Sequence, residues 1–496
     1  MKLSIKSIVI HPFLLGIFPG LSLFSNNLDF LKSEELLFSL VIIITPIFLF
    51  WISLRKILNN SMKAGIIISW GLIFFFSYSM IHGYLDNIEI DEFYIKHSYL
   101  IGVFVILFSI GTFFILKIKK NFTKTTVAIN IFSIILIAVP MFTIGLSFDI
   151  TDDSNILDSA INDSPNIYYI ILDAYAHSSV LNSVYNYDNR HFINQLNEKG
   201  FYVVQNGNSN YRHGFMSLSS SLNMKYINYL AEEIGVDSRN FRNIYELVDE
   251  NEVMSKLKQR GYKIISFASN DGLTGQIELA DINLCEKNPF LESQLFIMVI
   301  RETILNPFYV KYNDYYSNER TNCVFTELSS MSKKIDEPFF VFAHFLLPHS
   351  PFRFGPAGEE IKNPPPLIGI SESEHKIGYL NQVKFLESKL IEIVDDILDT
   401  SKTKPIIIIQ SDVGTSLESE DKTENMLRKL KILNAYYLPD DGNSLLYDSI
   451  TPVNSFRIVF NHYFNGDYDL LEDRIYFSEY YSELNFTEIT DQLIGN

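Results

Sequence analysis

Asn166 to Asp173 reads NIYYIILD. A short, continuous run of β-branched and aromatic residues closed by an acid predicts a strand buried on both faces, since a half-exposed strand would alternate. The same grammar recurs downstream. Phe201–Val204, Tyr262–Ala268, Phe339–Phe345 (FFVFAHF), Pro405–Gln410 (PIIIIQ, followed by Ser411-Asp412) and Ile432–Leu438 all read as strands. Between them, His191–Lys199, Val253–Arg260 and Ile377–Leu398 read as helices. Strands joined by helical crossovers imply a mostly parallel sheet with helices on both faces, and in such sheets the working residues lie beyond the carboxyl ends of the strands. Asp173, the segment Asn206–Asn223, His344, His349 and Asp412 occupy those ends.

Upstream of Asp149 the texture changes. A chain of 496 residues exceeds one hydrophobic core, and residues 1–148 are dominated by Ile, Leu and Phe. Leu37–Leu54, Ala64–Ile81, Tyr99–Leu116 and Val127–Leu146 approach the length needed to cross about 30 Å of hydrocarbon. Ser7–Phe24, containing His11, Pro12 and Pro19, is a fifth candidate span. The expected organisation is a bundle of about five transmembrane helices over 1–148, a polar, acidic linker over 149–165 and an α/β domain over 166–496.

Lys2, Lys6, Arg55, Lys56, Lys63, Lys117, Lys119, Lys120 and Lys124 cluster before the first span and in alternate loops, whereas the loops with Glu34, Glu35, Asp86, Glu89, Asp91 and Glu92 are acidic. Cytoplasmic loops collect Lys and Arg. The expectation is a multi-pass plasma membrane protein with its N-terminus inside and everything after Asp149 outside. The spans offer no buried ion relay, with only His11 and His82 near their ends, so the bundle reads as an anchor. A net charge of −18 argues against a nucleic-acid partner. Cys285 and Cys323 are the only cysteines and leave a disulfide or two free thiols open.

A lone Asp at a strand end is usually a cap and a lone His usually packs, but here several converge and carry a resemblance. PNIYYIILDAYAHSSVL, GFYVVQNGNSNYRHGFMSLSSSLNM, FVFAHFLLPHSPF, PIIIIQSDVG and LNAYYLP occur in that order. In this the chain resembles the membrane-anchored sulfatase-like hydrolases and transferases of bacteria, in the alkaline phosphatase superfamily, distantly similar to lipoteichoic acid synthases and phosphoethanolamine transferases. The resemblance implies transfer or hydrolysis at a phosphate or sulfate ester, in which a divalent metal (Mn, Zn, Mg or Ca) neutralises the tetrahedral anion and activates a hydroxyl nucleophile. Asp173 and Asp412 match metal-binding positions. His349 matches a residue contacting the transferred group.

Two positions depart from that pattern. Gly214, in Arg212-His213-Gly214, stands where the resemblance implies the nucleophilic Thr, and Val413, in Asp412-Val413-Gly414, stands where it implies a metal-binding His. One reading is a degenerate, non-catalytic or altered member with no metal, acting as a binding or accessory protein in envelope glycan or lipid modification. A second is an active phosphoryl or sulfuryl transferase with a rebuilt site, in which His213 and His177 join Asp173 and Asp412 and Ser209, Ser217 or Ser219 supplies the hydroxyl. A third makes the bundle a membrane carrier and the exported domain a partner-recognition module. The partners implied are membrane lipid, an envelope glycan or lipid-linked substrate, and a protein partner. Asn208, Asn210 and Asn223 are candidate anion donors, Tyr211 and the aromatics of NAYYLP candidate sugar-stacking residues, and Arg353 a candidate basic contact.

Overall fold

The structure is a computed structural model describing residues 8–27, 31, 33–86, 97–119, 121–146, 164–238, 241–269, 273–275, 277–285, 293–336, 338–362, 364, 370–417, 419–480 and 482–494. Most of the expected linker, 149–165, lies outside the described residues. The chain forms two compact units, residues 1–153 with 287–315, and residues 154–286 with 316–496.

The first unit is helical: α1 (His11–Asn26), α2 (Ser33–Leu58), α3 (Ser61–Asp86), α4 (His97–Lys117) and α5 (Thr123–Leu146). Four of them, α2 to α5, are long and apolar enough to cross a membrane. Large apolar side chains along them, among them Phe50, Ile57, Phe114, Ile135 and Phe142, are exposed, a surface that lipid satisfies and water does not. The first expected span, α1, has 16 residues, about 24 Å of helix and short of the hydrocarbon thickness. Its backbone start is held by Asn130 of α5, whose Oδ1 accepts the His11 amide at 3.0 Å and whose Nδ2 donates to the Ile8 carbonyl at 2.7 Å. His11 Nδ1 meets Ser69 Oγ at 2.6 Å.

The same unit includes a piece of chain from far downstream. Helix Gln294–Arg301 contributes Leu295 and Val299 to a cluster with Leu21, Phe24 and Ile144. The Leu295 amide donates to Glu35 Oε2 at 3.0 Å, the Ile304 amide donates to the Phe75 carbonyl at 3.0 Å, and Ser79 Oγ donates to the Arg301 carbonyl. In the second unit Cys285 and Cys323 are joined as a disulfide across this excursion, which resolves the alternative the sequence left open.

The second unit is built on a seven-stranded sheet of order β2-β7-β6-β1-β5-β3-β4. The strands are β1 (Ile167–Leu172), β2 (Tyr202–Val203), β3 (Lys263–Phe267), β4 (Ile282–Leu284), β5 (Phe339–Phe345), β6 (Ile406–Ser411) and β7 (Asn434–Tyr437). β6, β1, β5, β3 and β4 run parallel; β7 is antiparallel to β6, and β2, antiparallel to β7, runs in the same direction as the five. Central β1 is buried throughout, as its unbroken apolar run requires. Its period of two divides it: Tyr168, Ile170 and Leu172 pack with Tyr379, Leu386 and Leu390 of helix Glu372–Thr400. Ile167, Tyr169 and Ile171 pack on the other face with Leu218, Val253 and Phe456, from three helices. An Ile or Phe buried this way contributes about 1.5–3 kcal/mol relative to exposure. Edge strand β4, three polar-flanked residues, was not among the sequence-derived strands. A two-stranded ribbon, β8 (Tyr476–Glu479) and β9 (Ser482–Glu488), follows.

Candidate functional site

The parallel register sets the site. Leu172 is level with Phe345 of β5 and Ser411 of β6, so the residues that leave these three strands emerge side by side. The Asp173 amide donates to the Phe345 carbonyl at 2.9 Å, and the His349 amide donates to the Asp173 carbonyl at 3.1 Å. Asp412 Oδ1 accepts the amides of Ala174 at 3.2 Å and Val413 at 2.7 Å. Ser411 Oγ accepts the Tyr175 amide at 2.9 Å and donates to the Leu172 carbonyl at 2.7 Å. Ala174 sits at φ 65°, a left-handed conformation costly for a residue with a Cβ, and Tyr379 Oη donates to its carbonyl at 2.8 Å.

A second layer is laid beside these ends. The Ser209 amide donates to the Leu430 carbonyl at 2.8 Å, and Asn208 bridges to Lys431, which fixes the segment ahead of helix Gly214–Asn223 against the end of helix Lys422–Leu430. Gly414 closes the contact: its amide donates to the Lys429 carbonyl at 2.6 Å, and a Cβ there would stand 2.1 Å from the Arg428 carbonyl oxygen. The glycine of Asp412-Val413-Gly414 is therefore demanded by backbone approach, whatever the neighbouring valine does.

The result is a cavity of about 480 Å³ lined by Asp173, Arg212, His213, Gly214, His344, His349, Asp412, Val413, Ser416, Lys429 and Tyr480 among others. Asp173, His213, His349 and Asp412, expected from the sequence, share this one space. His177 does not line it: its imidazole caps its own helix, Nδ1 accepting the Ser179 amide at 3.2 Å. Nor do the proposed hydroxyls serve. Ser209 and Ser217 donate to the Tyr211 carbonyl, at 2.9 and 3.1 Å, and Ser219 donates to the Phe215 and Ile244 carbonyls, so all three are buried in backbone bonds.

The other sequence candidates are structural. Asn210 bridges Thr451, Val453 and Arg474, and Asn223 bridges Ser219, Leu247 and Glu252. Tyr211 is wholly buried, stacked on Tyr476, and Tyr436 of NAYYLP is likewise core. Arg353 is outside the lining, its amide donating to Gln382 Oε1 at 2.6 Å. Gln382 also donates to the Pro348 and His349 carbonyls, at 3.2 and 2.9 Å, and so pins the His349 loop from inside the long helix. Lys429, Ser416 and Tyr480 went unnoticed in the sequence because nothing local marks them; only the tertiary contact at Gly414 and the ribbon bring them in.

Burial dominates the electrostatics. The Asp412 carboxyl is pushed well above the ordinary carboxylate range, first by burial and then by the neighbouring Asp173 carboxylate. His213 falls to about 4, through burial and then Arg212. His375, whose Nε2 lies 3.1 Å from Ser416 Oγ, also falls to about 4, through burial and then His349.

Gly214 and Val413 carry no donor. Asp412 Oδ2 lies 2.2 Å from where a Cβ on Gly214 would stand, so the carboxylate fills the space of the missing side chain. Among the described residues no three His, Cys, Asp or Glu side chains gather as a metal would require. The residues present do not fit the divalent metal that the resemblance implies.

No protein-family model matches the sequence, and no curated protein matches it. Among solved structures, the chain is similar to the C-terminal periplasmic domain of EptC from Escherichia coli, in complex with Zn. That match has 11% identity and a TM-score of 0.44, and covers 68% of this chain and 97% of that one. It is similar to the periplasmic domain of the phosphoethanolamine transferase EptC from Campylobacter jejuni, with 13% identity, a TM-score of 0.40, and 65% and 94% covered. The lipoteichoic acid synthase LtaP from Listeria monocytogenes is matched with 12% identity, a TM-score of 0.40, and 65% and 79% covered.

Proposed function

We propose that this chain is a membrane-anchored, sulfatase-like protein of envelope glycan or lipid modification whose centre is degenerate. Its cavity binds a phosphate- or sulfate-bearing group without turning it over by the superfamily's metal-dependent route. The observation that carries this is the pairing of Gly214 with Asp412 Oδ2, together with Val413: a nucleophile and a metal donor are replaced within one cavity. The test is calorimetry of the full chain in detergent with Mn and Zn, beside an Asp173→Ala, Asp412→Ala double variant. Weak or no metal binding and no hydrolysis of 4-nitrophenyl phosphate or sulfate are expected. Tight binding abolished in the double variant would sink the reading.

The orientation belongs to the same proposal: N-terminus cytoplasmic, second unit outside. It is supported by the Lys and Arg distribution, by the disulfide, a bond of oxidising compartments, and by where residues 294–304 pack. They meet Glu35, Phe75, Ser79 and Ile144, which lie toward the helix ends that the charge rule puts outside. Trypsin cleaving this unit in inverted vesicles but not in spheroplasts would reverse the assignment.

One observation favours a second reading, an active transferase with a rebuilt centre. Ser416 lines the cavity with His375 Nε2 3.1 Å from its hydroxyl, within reach of proton transfer. Ser416 Oγ would attack the ester's central atom, its proton passing to His375 as the leaving group departs. A fluorophosphonate would then form an adduct at Ser416, with loss of fluoride, and none in Ser416→Ala; an unlabelled wild-type chain would rule this reading out.

A further inference from the structure

The helical unit carries a cavity of its own. It measures about 360 Å³ and runs between α1 and α3, with Phe18 and Leu23 on one wall, Leu72 and Phe76 on the other, and Glu302 in the lining. From Ser69 to Met80 it follows α3 for about 16 Å of helix. That is close to half of the ~30 Å of hydrocarbon in a bilayer, so the groove is as long as one leaflet is deep. Ile73 and Met80, in its wall, are 53% and 68% exposed. The groove is therefore continuous with the apolar surface that these helices offer to lipid, and opens sideways onto it.

Glu302 gives the groove a polar end. The Ile304 amide donates to the Phe75 carbonyl at 3.0 Å and Ser79 Oγ donates to the Arg301 carbonyl, which hold residues 301–304 beside the Phe75–Ser79 turn of α3. The Glu302 amide is itself tied to the Val299 carbonyl at 3.2 Å, and its side chain is exposed. A carboxylate is expensive in hydrocarbon, so Glu302 marks the headgroup level and the end at Leu15 and Ser69 lies deeper. At that level a carboxylate attracts an ammonium group and repels an anionic headgroup.

We infer that this groove holds one acyl chain of a zwitterionic glycerophospholipid, a resident part of the bundle, with the headgroup ammonium at Glu302. The site lies wholly within the helical unit and goes beyond the function proposed for the cavity of the second unit. Apolar walls supply the binding free energy by contact with the chain, and the single carboxylate supplies the headgroup preference.

The experiment is native mass spectrometry of the delipidated full chain, titrated in micelles with dioleoylphosphatidylcholine and, separately, with dioleoylphosphatidylglycerol. One phosphatidylcholine retained per chain is expected, with retention of phosphatidylglycerol weaker on the order of ten-fold. Glu302→Gln should bring the two lipids within about two-fold of each other, and Ser77→Leu, which puts a larger side chain into the lining, should abolish retention. No retained lipid, equal retention of the two headgroups by the unaltered chain, or retention that Ser77→Leu leaves unchanged overturns the inference. A two-chain species that Ser77→Leu dissociates overturns it too, because the groove would then take a helix of a second copy. The exposed Glu302 variant decides the matter on its own if Ser77→Leu does not fold: a headgroup preference that survives it overturns the inference.

Discussion

Asp412 reaches across to Gly214: its Oδ2 occupies the position that a side chain on residue 214 would need, while its Oδ1 is held by the amides of Ala174 and Val413. The two residues are complementary, a carboxylate on one strand end and a bare Cα at a helix start. A side chain placed on residue 214 displaces the Asp412 carboxylate.

Gly214→Thr therefore destabilises the protein, by about 1–3 kcal/mol, because Asp412 must turn away and release two amides. Chemical denaturation of the variant measures this. It gains no phosphatase or sulfatase activity; a stable, active Gly214→Thr chain would mean that Asp412 is free to move.

Asp412→Asn is expected to stabilise the chain at pH 8. The folded state holds the Asp412 proton far more tightly than the unfolded state, so its contribution is greatest at low pH and is lost as pH rises through the raised value. Asparagine has no such loss. A lower melting temperature for the variant at pH 8 would indicate a cation shared between Asp173 and Asp412.

Glu387 provides an independent titration. Burial raises its carboxyl from 4.5 to about 7, and it accepts hydrogen bonds from the hydroxyls of Tyr175 and Tyr187 at 2.5 and 2.6 Å. Its folded value is the higher one, so the stability it gives is full below pH 4.5 and disappears as pH passes about 7. Melting curves of Glu387→Gln between pH 5 and 8 should fall less steeply than those of the unaltered chain; parallel curves would contradict this.

Replacing Cys285 and Cys323 by Ala together should cost about 2–4 kcal/mol, since the bond closes a segment with a sequence separation of 38. Unfolding midpoints with and without reductant test it, and an unchanged midpoint on reduction would count against it.

How much of this was legible beforehand follows from range of interaction. β1, β5 and β6 announce themselves as unbroken apolar runs because both faces of a central parallel strand are buried, and the acids and histidines closing those runs turned out to share one cavity. Edge strand β4, only three residues long, leaves no period to read, whereas the still shorter β2 lies inside the run Phe201–Val204 that reads as a strand. Lys429 sits in a helix with the acidic and basic texture of a solvated surface, and its burial depends on Gly414 lying against that helix, a contact between residues that no local pattern connects. His177 had the spacing of a ligand, one turn past Asp173, yet the nearer amide of Ser179 claims its nitrogen. The apolar stretch at 294–300 reads as nothing in particular, because its partners Leu21, Phe24 and Ile144 are encoded far upstream.

That last stretch bears on how this protein can be handled and how it could have been assembled. Since residues 287–315 belong to the helical unit, neither unit is one uninterrupted piece of chain. Cutting in the acidic stretch near 150 would release a fragment still carrying Leu295 and Val299 bare of their partners, an aggregation-prone surface. A well-behaved secreted form needs a second edit, replacing the excursion between Cys285 and Cys323 with a short polar bridge. By the same token, no simple fusion of a ready-made anchor to a ready-made catalytic-type domain would produce this arrangement; the insertion had to be fitted to the bundle it enters.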